Sequence, residues 1–127
     1  MISDPIADML TTIKNGYMAK KEVVRAPSSE FKKKLLKKLV DLDYIKSVSV
    51  DDSGKKIEIE LLYKNSSPGI VRVRRISKPS LRVYVSKKRL PKVSLLSTII
   101  LSTPAGLLTA FEARGKGVGG EVICEVW

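Results

Sequence analysis

Arg114-Gly115-Lys116-Gly117-Val118-Gly119-Gly120 sets glycines at 115, 117 and 120 in the order G-x-G-x-x-G. In a dinucleotide-binding fold those glycines follow a strand and open a helix, where the backbone closes on a pyrophosphate. Here the neighbours run the other way. Thr109-Ala110-Phe111-Glu112 carries a capping-box pattern that predicts a short helix over about 110–114. Residues 121–127 (EVICEVW) read as a final strand, and those seven residues are too few for the rest of a βαβ unit. The glycines therefore predict a helix C-cap at Gly115 and a tight turn into a strand. Lys116, in that turn, can still meet an external phosphate.

A second chemistry lies upstream. From Val71 to Lys92 there are Arg72, Arg74, Arg75, Lys78, Arg82, Lys87, Lys88, Arg89 and Lys92 and no acid. On strands, Arg72 shares a face with Arg74, and Arg82 with Tyr84. A cation beside a ring can hold a phosphate while the ring stacks on a base. Ser102-Thr103-Pro104-Ala105-Gly106 puts two hydroxyls and a glycine at a strand end, where they can bond ribose, base edges or phosphate, or simply make a turn.

Other chemistries have little to work with. The chain has no histidine and one cysteine, so Cys/His zinc sites, internal disulfides and Ser-His or Cys-His nucleophile pairs are excluded. Asp51 and Asp52 fall in an expected hairpin turn, Glu58 and Glu60 on one strand face, and Asp4 and Asp8 in a first helix. None has an evident partner base. Cys124 alternates with Val122 and Val126 and reads as a buried apolar residue. Only Tyr84 of the seven aromatics falls inside the basic segment, so an RRM-like sheet with several stacked bases is not expected. No cofactor, metal or small-molecule substrate is expected.

The elements that must hold these residues follow from periodicity. Ile6, Met9, Leu10 and Ile13 mark a first helix that Asp4 can cap, Pro5 can open and Gly16 can end. Residues 22–26 suggest a short strand. Pro27-Ser28-Ser29 starts a second helix, about 29–42, with Phe31, Leu35, Leu36, Leu39, Val40 and Leu42 on one face and Lys32, Lys33, Lys34, Lys37 and Lys38 on the other. Residues 44–50 and 55–63 alternate around Asp51-Asp52-Ser53-Gly54 and predict a hairpin. Asn65-Ser66-Ser67-Pro68-Gly69 reads as a linker. Strands are expected at 70–76, 81–85 and 97–102. The fold class is thus α+β in two small lobes. An N-terminal α-β-α-β-β lobe covers 1–66, and a mostly antiparallel β lobe with one short helix covers 67–127.

Composition narrows the partners. The 127 residues carry 24 Lys/Arg against 13 Asp/Glu, a net charge of +11. Residues 1–64 account for +3 and residues 65–127 for +8, so an anion-binding surface should lean on the second half. Hydrophobic content of 43% supports a packed core. No signal peptide and no apolar run near the roughly 20 residues of a membrane span is seen, so a cytosolic place, or an organellar matrix or stroma, is expected. A basic amphipathic second helix could also lie on a membrane; that requires Leu35, Leu36 and Leu39 to be exposed.

Several stretches together resemble the bacterial-type small ribosomal subunit protein eight family over the whole chain. Asp4-Pro5-Ile6-Ala7-Asp8-Met9-Leu10-Thr11 with Ile13-Lys14-Asn15-Gly16 is similar to its opening helix. Pro27-Ser28-Ser29 is similar to its second helix start. Arg75-Ile76-Ser77-Lys78-Pro79 and Leu81-Arg82-Val83-Tyr84 resemble its central strands, and Leu90-Pro91-Lys92-Val93 follows as in the family. Ser102-Thr103 with Gly106, Glu112-Ala113-Arg114 and Gly117 through Cys124 resemble its C-terminal signature. The resemblance implies a non-catalytic protein that binds the central domain of small-subunit rRNA early in assembly, beside neighbouring small-subunit proteins. It implies rRNA contacts at Ser102, Thr103, Tyr84 and Glu121, and the charge pattern adds Arg75, Lys78, Arg82, Lys87 and Lys116 as basic residues expected to meet the rRNA. It implies further rRNA contacts through Lys14, Asn15, Ser28, Ser29 and Lys32. Pro104 and Ala105 stand where the family's loop usually has a second serine and its successor, Ser80 where glycine is common, and Ala110 where aspartate is common.

Overall fold

In a computed structural model, which describes residues 3–127, the chain is α+β. It divides into two compact units. One runs Pro5–Arg72; the other comprises Val73–Trp127 together with Ser3 and Asp4.

The first unit follows the expected α-β-α-β-β order: α1 (Pro5–Met18), β1 (Val23–Pro27), α2 (Glu30–Asp41), β2 (Ser47–Val50) and β3 (Lys56–Glu60). Its antiparallel sheet has the order β1-β3-β2, with Ile57 and Ile59 of the central strand buried. Gly16 does not end α1. It lies inside the helix, where a Cβ would come within 2.5 Å of Val24 Cγ1. The glycine costs about 1 kcal/mol of helix propensity, and in return α1 can approach β1 closely.

Helix α2 begins at an N-cap, Ser29, whose Oγ accepts from the Lys32 backbone N–H. Leu35, Leu36 and Leu39 are fully buried, each contributing about 1.5–3 kcal/mol. With those three inside, the membrane-surface reading of this helix is withdrawn. Lys32 also departs from its expected solvent-facing place: it is buried, and its ammonium donates to the Pro27 carbonyl at 3.1 Å. The bond to a strand-end carbonyl lets the aliphatic stem pack inward.

The β2–β3 turn holds Gly54 at φ +73, and Asp51 accepts from the Ser53 hydroxyl at 2.7 Å. That bond holds the Asp51 carboxyl below the usual carboxylate range. Glu58 and Glu60 line the wetter face, paired with Arg25 and Lys46 at 3.1 Å each. Residues 65–69 are not a free linker. β4 (Tyr63–Lys64) and β5 (Ser67–Pro68) form a tight hairpin, with Asn65 and Ser66 at φ +51 and +66. Both central residues are left-handed, as in the turns that match strand twist.

The second unit is a five-stranded antiparallel sheet. Its strands are β6 (Val73–Arg75), β7 (Tyr84–Val85), β8 (Thr98–Thr103), β9 (Gly106–Thr109) and β10 (Gly120–Val126), and the short helix is α3 (Ala110–Lys116). β10 is the hub: β8 pairs along one edge, and β7 and β6 share the other in succession. β9 was not foreseen, because its Gly106-Leu107-Leu108-Thr109 run has no polar alternation. Thr109 and Glu112 form the reciprocal capping box. α3 runs two residues beyond expectation, and its left-handed C-cap is Gly117 (φ +66), not Gly115. Leu101, Ala110 and Val122 form a core cluster, with Ile76, Val83, Val85, Leu90 and Ile99 against it.

Candidate nucleic-acid interface

The glycine segment takes its meaning from β10. A Cβ on Gly119 would overlap the Val85 carbonyl oxygen, and one on Gly120 the Ser102 carbonyl oxygen. These glycines admit the start of β10 between β7 and β8. The close approach they permit is between strands of this chain, not toward a nucleotide.

That insertion sets a row. Tyr84 on β7 pairs with Glu121 on β10, and Glu121 pairs with Ser102 on β8. Directly opposed residues of an antiparallel pair share a face with Cβ atoms about 4.5–5.5 Å apart. Three residues far apart in sequence thus stand side by side. The Tyr84 residue is 68% exposed. Among the described residues, neither the Tyr84 nor the Ser102 hydroxyl is bonded to a protein partner. Glu121 is held. Its Oε2 accepts from Ser77 Oγ at 2.5 Å and from Arg82 Nη1 at 3.0 Å. The row offers a ring, a fixed carboxylate and a free hydroxyl: a stacking surface, an acceptor, and a group that can donate or accept.

Thr103 closes the β8–β9 hairpin, with Pro104 and Ala105 as its two turn residues. Its hydroxyl donates to the Gly106 carbonyl at 2.8 Å and accepts from the Ala105 N–H at 3.1 Å. In this structure it braces the turn. Pro104 supplies a fixed φ to the first turn position, and Gly106 takes φ +104.

The basic residues divide into two groups. Arg75 is enclosed: its guanidinium bonds Asp4 at 3.2–3.3 Å and the Ile123 carbonyl at 2.7 Å. Arg74 takes Glu125 at 2.8 Å, and Arg82 takes Glu121. Lys78, Lys87 and Lys116 are exposed. They lie on a two-residue turn, a 3₁₀ turn (Lys87–Arg89) and the last turn of α3 respectively. Lys78 and Leu81 exchange backbone bonds around Pro79-Ser80. Ser80 is not among the residues with positive φ, so the turn does not demand glycine there. Glu112, Glu121 and Glu125 are all engaged, by the α3 cap, by Ser77 and Arg82, and by Arg74 and Ser97. The exposed cations therefore set the field of this unit.

In the first unit, Lys14 is half-buried and Asn15 exposed on α1, and Asn15 lines an open groove with Gly16, Lys21, Val24 and Arg25. Ser28 donates its N–H to the Lys55 carbonyl at 2.9 Å. Ser29 caps α2 and Lys32 is buried, so two of the five residues named there have internal work.

Sequence reasoning missed Ser77, which is fully buried beneath Glu121. It also missed the exposed apolar pair Leu95 and Leu96. Nothing in an Ile-Ser-Lys run marks the serine as inward-facing. Cys124 is fully buried, and burial pushes its thiol up to about 12 against the opposing pull of Arg75. No cluster of three His, Cys, Asp or Glu able to hold a metal occurs among the described residues. No helix there is long and apolar enough to cross a membrane.

A profile of the family described as ribosomal protein S8 matches residues 4–127. The protein named small ribosomal subunit protein uS8 from Buchnera aphidicola is 49% identical, over 98% of each chain. Its namesake from Finegoldia magna is 47% identical over 100% of each. The one from Ruthia magnifica is 44% identical over 99% of this chain and 98% of its own. With a match of that extent, the chain belongs to the ribosomal protein S8 family, whose members are structural proteins and not enzymes.

Proposed function

We propose that the chain is a structural component of the small ribosomal subunit that binds rRNA directly. It takes an irregular helix of the central domain, early in subunit assembly and beside neighbouring small-subunit proteins, in cytoplasmic ribosomes. The second unit, which holds most of the C-terminal lobe expected over 67–127, is the principal RNA-binding lobe. The observation that carries the reading is the strand register that aligns Tyr84, Glu121 and Ser102. The ring can stack on an unpaired base, and Ser102 and Glu121 can bond base edges or ribose. Lys78, Lys87 and Lys116 supply phosphate contacts around the row. Thr103 holds the loop that carries Ser102, and Arg75 holds the strand pair beneath it. Lys14, Asn15, Ser28, Ser29 and Lys32 define a further rRNA-facing region of the first lobe, where Ser29 and Lys32 act by shaping the start of α2.

A salt titration tests this. Binding to the central-domain rRNA helix is compared with binding to a regular duplex of equal length. Each neutralised phosphate should contribute a slope in log K of about −0.9 on a duplex. Preference for the irregular helix that persists as salt rises is the expected result. Equal affinity for both, vanishing with salt, would leave only a non-specific basic surface.

A further inference from the structure

Ser77 is fully buried, yet its hydroxyl is committed twice. It donates to Glu121 Oε2 at 2.5 Å and accepts from the Val83 N–H at 3.1 Å. Its own N–H is fixed on the Val122 carbonyl at 3.0 Å. The side chain therefore has no freedom to turn away. The other two buried polar residues have plain structural roles: Lys32 bonds a strand-end carbonyl and Thr109 caps α3. Ser77 alone among them reaches a residue of the aligned row.

Its effect is on a carboxylate that an RNA-binding surface would otherwise tolerate poorly. A glutamate among phosphates is repelled, and a mobile one has several rotamers to lose on binding. Arg82 Nη1 meets the same Oε2 at 3.0 Å, so that oxygen is engaged from two sides and the charge is offset. Oε1 has no protein hydrogen bond among the described residues, and the Glu121 side chain keeps 18% of its surface open.

We propose that Ser77 is a positioning residue for RNA recognition. With Arg82 it fixes the Glu121 carboxylate, leaving Oε1 to accept from a donor on the RNA, either a ribose 2′-hydroxyl or a base amino group. This inference rests on the reading that the Tyr84, Glu121 and Ser102 row meets RNA. It also assigns Arg82 to Glu121 and not to a phosphate.

The test is a double-mutant cycle on the full chain, read as affinity for the central-domain rRNA helix. Ser77→Ala and Glu121→Gln should each weaken binding about tenfold, the scale of a lost hydrogen bond to a charged group. The double variant should bind within about twofold of Glu121→Gln, because coupled residues are not additive. Ser77→Thr, which keeps the hydroxyl, should restore binding. Arg82→Gln, at an exposed site, should weaken binding without changing the salt slope, whereas loss of a phosphate contact would reduce it by about 0.9. That variant decides the matter if Ser77→Ala does not fold. RNA with a single 2′-deoxy sugar and RNA with a single base lacking its amino group separate the two donors. Additive losses in the cycle, or a reduced salt slope for Arg82→Gln, would overturn the positioning role and leave the row intact. A silent Glu121→Gln would overturn the row itself, and this inference with it.

Discussion

Gly120 lies so close to Ser102 on the neighbouring strand that a single methyl group on Gly120 would overlap the Ser102 carbonyl oxygen. The contact is backbone to backbone, so no side chain can swing aside to relieve it. Gly120→Ala should therefore cost about 1–3 kcal/mol of stability, the scale of overpacking. It should weaken RNA binding further by pushing β8 away from β10. Urea unfolding and a binding isotherm on the same preparation check both.

Gly115 is the contrast. A Cβ there meets nothing within 4 Å, its φ is not positive, and it lies inside α3. Gly115→Ala should raise stability by about 0.5–1 kcal/mol through the lower entropy of the unfolded chain. The urea midpoint should rise while the slope stays constant and RNA affinity is unchanged.

Tyr84 carries little of the fold, since most of its surface is open. Tyr84→Ala should leave the unfolding midpoint near that of the parent. It should lower affinity for the irregular RNA helix by about 1–3 kcal/mol, the range for a lost stacking platform. Tyr84→Phe, which keeps the ring, should retain most of that affinity.

Pro104→Ser should shift stability and affinity in opposite directions. Losing the proline frees the unfolded chain and should lower stability by about 0.4–1 kcal/mol. The added hydroxyl at an exposed turn should tighten RNA binding by about 0.5–1.5 kcal/mol. Binding no tighter than the parent would count against an RNA contact at this turn.

Cys124 gives a pH dependence with a definite sign. The thiol is pushed up to about 12 by burial, against about 8.5 in an unfolded chain. The folded state holds its proton longer, so this contribution is intact below about pH 8.5 and is lost as pH rises toward 12. Alkaline unfolding should begin earlier in the parent than in Cys124→Ala, once both are normalised to neutral pH. Iodoacetamide should label the folded protein far more slowly than the urea-unfolded one.

Much of the fold was legible in the residues themselves. Apolar spacing placed α1 and α2, and the capping box at Thr109 and Glu112 placed α3. Alternation placed β2, β3 and β10, and an apolar run placed β8. The misses have local causes. Gly16 and Gly115 resemble helix stops, but one is demanded by Val24 and the other is bypassed for the left-handed Gly117. Residues 65–69 have a linker's composition, yet Asn65 and Ser66 tolerate the left-handed backbone of a tight hairpin. The aligned row was only half legible. Tyr84, Glu121 and Ser102 could be singled out by the resemblance, but their adjacency depends on strand pairings 19 and 37 residues apart. Ser77 was invisible because burial, not residue type, gives it a role.

β10 lies between β8 on one side and β6 and β7 on the other, and only β9 of the five strands does without it. Protein synthesis runs from the N-terminus, so β6, β7 and β8 are made before residues 120–126 exist. Until then their β10-facing edges lack partners, and Tyr84 and Ser102 have no Glu121 to align them. The first unit has all its strands by Arg72 and can fold while the chain is still being made. The first unit can therefore be folded before the row proposed to meet RNA is complete. That row is completed only by β10, whose start passes between β7 and β8 where Gly119 and Gly120 leave room for it.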